Sequence, residues 1–168
     1  PTRRSSDLNR SSWGAIVSAL KERISNEMKA ALLGRHRFRG DVLRSLKAAI
    51  LNEEVLLVKR DEGLSDAEIE RVIAREVKKR RESAELYRSN GRVELADSEE
   101  KEAAILQEFL PKQLSEDELR AVVAEVVAAM DEVSPQQMGQ VIGLVKSKVG
   151  TAGDGAMIAK IVKETLVK

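Results

Sequence analysis

Residues 71–92 hold eight basic side chains against three acidic ones, and residues 94–108 hold six acidic against one basic. A reversal of sign over so short a stretch allows two kinds of chemistry. The cations can bind the phosphates of an anionic polymer such as RNA, or the acidic segment can fold back and neutralise them. Helical angle divides the cations. At 100° per residue, Ile69, Ile73, Val77, Ala84 and Tyr87 share one sector of about 80°, and Arg80 falls inside it with Glu76 at its edge. A guanidinium buried there without a partner is costly. Arg80 is therefore expected to pair with one or both of Glu99 and Glu102, which stand three apart on one face of the following helix. Arg71, Arg75, Lys78 and Lys79 lie in another sector, opposite Ile69 and Val77. Such a stripe is a solvated charged face, and it also suits the phosphates of a nucleic-acid backbone. Arg35, Arg37 and Arg39, with Arg44, form a second basic cluster earlier in the chain.

Catalytic chemistry is not legible. The chain has no Cys and a single His, His36, which removes thiolate zinc sites, excludes most His-based metal sites and argues against a Ser-His-Asp triad. His36 sits in a basic link and is expected to be exposed and inert. Acidic neighbours such as Glu53-Glu54 and Glu99-Glu100 read as helix-surface charges, since adjacent residues on a helix diverge by about 100°. "GTAGDG", residues 150–155, offers glycines before a helix start but lacks the Lys and Ser/Thr of a phosphate loop. It reads as an interhelix turn, with Asp154 as a cap. No cofactor and no metal are expected. Aromatics are only 2% of the chain, too few for the stacking platforms that hold single strands.

The elements that must position these residues are helices. Ala, Leu, Val, Glu, Lys and Arg dominate, and 34% of the 168 residues are charged. Residues 18–33 form an amphipathic stripe ending at Gly34, and "GRHRFRG" reads as a basic link. Asp41 caps a helix to about Val58 with Leu43, Leu46, Ile50 and Leu57 on one face. Ser65-x-x-Glu68 opens a long helix that Asn90-Gly91 closes. Another runs from about Ala96 to Phe109. Ser115-x-x-Glu118, Ser134-Pro135 and the glycine turn introduce three shorter ones. The expectation is an all-α protein, with about four helices in an N-terminal subdomain (18–111) and three in a C-terminal one (112–168). Nothing spans a membrane or reads as a signal peptide, so a cytoplasmic setting is expected. "PTRRSSDL" and "NRSSWGAI" have no periodicity; residues 1–17 are expected to be an artefact of sequencing or a disordered tail.

The ordered set "LKERI", "RGDVLRSLKAAILNEE", "VKKRRESAELYRSNGR", "FLPKQLSEDEL", "MGQVIGLVK" and "AKIVKETL" resembles the YqeY-like family, over about residues 18–167. That family is homologous to the tail domain of the B subunit of glutamyl/aspartyl-tRNA amidotransferase (GatB). Its motif residues carry over to Tyr87, Gly91 and Arg92, to Glu99 and Glu102, to Leu110-Pro111 and to Met138-Gly139. The chain departs from the pattern at "GTAGDG" and at "VLLVKRDEG". The resemblance implies a tRNA-binding helical module, with no catalytic site of its own, since the amidotransferase's catalytic cradle is absent. A label of carbon–nitrogen ligase with glutamine as amido donor would be inherited by homology. The alternative is a protein-interaction module, acting through its C-terminal helices, that supports an aminoacyl-tRNA synthetase or amidotransferase complex. No membrane or DNA partner is expected.

Overall fold

A computed structural model describes residues 18–167; what is expected of residues 1–17 lies outside them. Among the described residues there are seven α-helices and no strand. We number them α1 (Ala19–Leu33), α2 (Arg37–Leu56), α3 (Asp66–Ser89), α4 (Val93–Gln107), α5 (Glu116–Ala128), α6 (Met138–Val149) and α7 (Gly155–Val167). The chain divides into two compact units, one ending at Leu110 and the other starting at Pro111.

The first unit holds α1–α4. Its core takes Leu20 and Ile24 from α1, Leu43, Leu46 and Ile50 from α2, Ile69, Ile73 and Val77 from α3, and Leu106 from α4, closed by Leu64 and Phe109. These lie at the three- and four-residue spacing that gives a helix one buried stripe. Burying each large apolar side chain stabilises the fold by about 1.5–3 kcal/mol. The starts of α1 and α3 are joined directly: Ser18 Oγ donates to Asp66 Oδ1, and also accepts from the Lys21 amide at 3.0 Å. At α3 the capping box is complete, with the Glu68 amide donating to Ser65 Oγ at 3.2 Å and the Ser65 amide donating to Glu68 Oε1 at 3.1 Å.

Three helix ends in this unit close in the same way, with the residue after the C-cap in the left-handed region. After α3 that residue is Gly91, φ 76°, and the Arg92 amide reaches back to the Tyr87 carbonyl at 2.8 Å. After α1 it is Arg35, φ 61°, and after α2 it is Val58, φ 55°. The His36 amide bonds the Ala31 carbonyl, and the Lys59 amide bonds that of Glu54. Gly34, the expected end of the stripe, is thus the cap itself, and the left-handed residue is the next one. This compact reversal lets α2 begin at Arg37, four residues before the expected start at Asp41, so most of the supposed basic link is helix. Gly40 then lies where α2 meets α1: a Cβ there would stand 2.5 Å from Leu32 Cδ2.

In the second unit, α5–α7 enclose Leu119, Val123, Val126, Val141, Val145, Ile158, Ile161 and Val162. Ser115 and Glu118 form another capping box. Pro135–Gln137 is a single 3₁₀ turn ahead of α6 rather than its first α turn. In the glycine turn, Asp154 Oδ1 accepts from the Ala156 amide at 3.1 Å, and the Leu114 amide donates to the Ala152 carbonyl at 2.8 Å.

Candidate nucleic-acid interface

The acidic helix α4 neutralises one part of α3 and leaves the rest alone. Arg80 Nε donates to Glu102 Oε2 at 3.1 Å, and its Nη1 donates to the Glu76 carbonyl oxygen at 3.2 Å. Glu76 Oε1 is 3.6 Å from the same nitrogen, and the Arg80 side chain is 14% exposed. Further along, Arg88 pairs with Glu100 at 3.0 Å and Asp97 at 3.6 Å. Arg81 reaches Gln107 at 3.5 Å. The zip therefore runs from Arg80 to the Gly91 turn.

Glu99 stands beside this pair without bonding Arg80. Burial and the neighbouring Glu102 carboxylate push its carboxyl above the usual range, and Arg80 pulls it only partly back. Of the two carboxylates expected to share Arg80, Glu102 alone makes the bond. Glu99 is held close to a like charge, a difference that three-residue spacing does not reveal. Tyr87 is half-buried, Gly91 makes the left-handed turn, and Arg92 is exposed at the cap of α4 without a side-chain capping bond.

Arg71, Arg75, Lys78 and Lys79 are all exposed, and no ion pair links any of them to α4. Arg71 makes no ion pair among the described residues. Arg75 meets Glu53 of α2 at 2.9 Å, Lys78 meets Glu82 at 4.0 Å, and Lys79 meets Glu76 at 3.3 Å. Arg71, Arg75 and Lys78 stand at i, i+4 and i+7, one row on the helix surface roughly 10 Å long. Glu53 and Glu76 are half-buried, but each cation is more than half exposed, so solvent screens these pairs and the cations remain accessible to a phosphate.

The earlier cluster is a separate place. Arg35 and Arg37 are exposed and make no ion pair among the described residues. Arg37 opens α2, whereas Arg75 is tied to Glu53 near its end, so sixteen residues, roughly 24 Å of helix, separate the two clusters along α2. Arg39 differs from its neighbours. It bonds Glu108 at 2.5 Å and Glu27 at 3.0 Å; its hydrogen bond to Glu108, with help from Glu27, raises its pKa further above the usual arginine value. Arg23 bonds the same Glu27 at 2.8 Å and stacks over the Phe109 ring at 4.6 Å. Arg39 thus joins α1 and α2 to the end of the unit.

Glu54 corrects the surface reading of the 53–54 pair. It is 2% exposed and bonds Lys21 Nζ at 2.6 Å. The signal was present in the sequence: Glu54 continues the row Leu43, Leu46, Ile50 by four more residues. A Lys at one helix start and a Glu at another's end, thirty-three residues apart, gave no hint of pairing.

Among the described residues no three His, Cys, Asp or Glu side chains come together as metal ligands, and no helix is long and apolar enough to cross a membrane. The architecture defines a class: an all-α protein of a four-helix and a three-helix unit with an open basic row. The sequence model for "Yqey-like protein" matches residues 21–166, and the chain belongs to that family. A curated relative, "Altered inheritance of mitochondria protein 41, mitochondrial" of Clavispora lusitaniae (strain ATCC 42720), is 24% identical over 150 residues. The match covers 89% of this chain and 75% of the relative.

Proposed function

We propose that the protein binds tRNA through the exposed face of α3, recognising the shape and backbone of the tRNA body rather than its sequence. The observation that carries this is the row Arg71, Arg75 and Lys78, exposed and without an ion pair to the acidic helix that neutralises Arg80 and Arg88. Family membership supports it through the homology of the YqeY-like family to the tail domain of the B subunit of tRNA amidotransferase. Arg35 and Arg37 supply a second anchoring point, and Lys79 flanks the row. Arg39 holds the unit together and contributes little to binding. The module contributes affinity and position, while any amide-transfer chemistry belongs to another protein.

The test is binding of several tRNA species by wild-type protein and by the Arg71→Glu, Arg75→Glu, Lys78→Glu variant. The expected result is weaker binding of every species by a variant that melts like wild type. Phosphate contacts position without specifying sequence, so the losses should be similar. If wild type binds no tRNA at low salt, the interaction-module alternative replaces this one.

A further inference from the structure

A groove between α1 and α2 takes none of its lining from the basic row. Its volume is about 260 Å³, and Ile24, Ile50, Leu51 and Ala48 form its apolar surface. Among the described residues, Lys21, Glu54 and Lys47 are its polar lining. Leu51 and Val55, 44% and 56% exposed, continue the apolar stripe along α2, and Val58 is 90% exposed just beyond. Val58 is a β-branched residue in the left-handed position where glycine fits best. Apolar surface is thus displayed here at a conformational cost.

The charges flanking this stripe identify its occupant. Glu54 holds Lys21 Nζ at 2.6 Å and satisfies one of the three ammonium donors, leaving two for another acceptor. The Lys21 side chain is 38% exposed, so those donors are reachable. Lys47 lies seven residues before Glu54 on α2 and makes no ion pair among the described residues. Two ammonium groups therefore bracket the apolar floor roughly 10 Å apart along the helix axis, about two turns. An amphipathic helix with two acidic residues seven apart, and apolar residues at the third and fourth positions between them, presents the complementary face.

We infer that the α1–α2 groove docks an acidic amphipathic helix of a partner protein. Its apolar residues fill the space over Ile24, Ile50 and Leu51, and its two carboxylates meet Lys21 and Lys47. This surface is independent of tRNA binding, so either can fail without the other.

The probe is a fluorescein-labelled, stapled alanine-based helix with two Glu seven apart and Leu at the third and fourth positions between them. It is titrated against the full chain by fluorescence anisotropy. Saturable binding is expected, at least tenfold weaker for Leu51→Glu and at least fivefold weaker for Lys47→Glu; Leu51 is exposed and Lys47 half-buried, so each variant is first shown to melt like wild type. Replacing the matching peptide Glu by Lys should restore binding to Lys47→Glu and weaken it for wild type. Absence of binding, or equal binding by all three proteins, overturns the proposal. Displacement of the probe by tRNA would assign the groove to RNA, and displacement by a synthetic peptide of residues 1–17 would assign it to this chain; either result also overturns it.

Discussion

Arg80 and Arg75 are five residues apart on one helix and differ in almost everything that sets the value of an ion pair. Arg80 is nearly buried among Glu76, Glu99 and Glu102, and removing it would leave those carboxylates facing one another. Arg80→Ala should cost about 2–4 kcal/mol in denaturant melts, against less than about 0.5 for Arg75→Ala, whose pair with Glu53 is screened by solvent. Equal small losses would show that Arg80 is not an internal tie. The two carboxylates beside it should respond in opposite directions. Glu102→Gln removes a bond to Arg80 and should destabilise. Glu99 has a raised pKa, so its charged form is disfavoured by folding and weighs against stability at neutral pH. Glu99→Gln should therefore raise stability at pH 7, and loss of stability there would contradict this placement.

The helices were legible because their stripes, caps and breakers agree with one another. Ser65–Glu68, Ser115–Glu118 and Asn90-Gly91 mark boundaries that the structure keeps. The start of α2 was not legible: a left-handed Arg35 turns the chain where only Gly34 invited it, so helix resumes at Arg37. The end of α2 is just as unusual, with Val58 in the left-handed position. Val58→Gly should stabilise the protein by about 1 kcal/mol, since relief of the Cβ clash outweighs glycine's freedom in the unfolded chain. An unchanged or lower melting temperature would contradict the strained geometry. The start of α3 carries a pH dependence. The Lys59 ammonium, followed by the Ser65 amide, lowers the Glu68 carboxyl to about 2 from an ordinary value of 4.5. Its contribution to stability is fully present above about pH 4.5 and is lost as pH falls toward 2. Glu68→Gln should flatten the decline of stability across that window; an unaltered acid limb would show that the pair does not hold α3.

At the scale of the whole molecule, net charge is uninformative: +1 overall arises from strong local segregation. Folding cancels part of that segregation and preserves the rest. The zip between α3 and α4 consumes Arg80 and Arg88, and the tie between α1, α2 and the end of the unit consumes Arg39. Arg71, Arg75 and Lys78 stay exposed in one row, with Arg35 and Arg37 at a distance. Angular position on α3 foretold which cations face the core. Sequence could not foretell the Glu27–Arg39–Glu108 network, because its members come from α1, α2 and the cap that ends α4, and meet only in the folded unit.

The most direct measurement is the salt dependence of tRNA binding for wild type and for the Arg71→Glu, Arg75→Glu, Lys78→Glu variant. Each lost phosphate contact should lower the slope of log K against log salt by about 0.7–0.9. The account predicts affinity that falls steeply with salt in wild type, and a slope shallower by about 2–3 in the folded variant. Equal slopes and affinities for the two proteins would contradict it, as would a wild-type protein that does not bind tRNA at low salt.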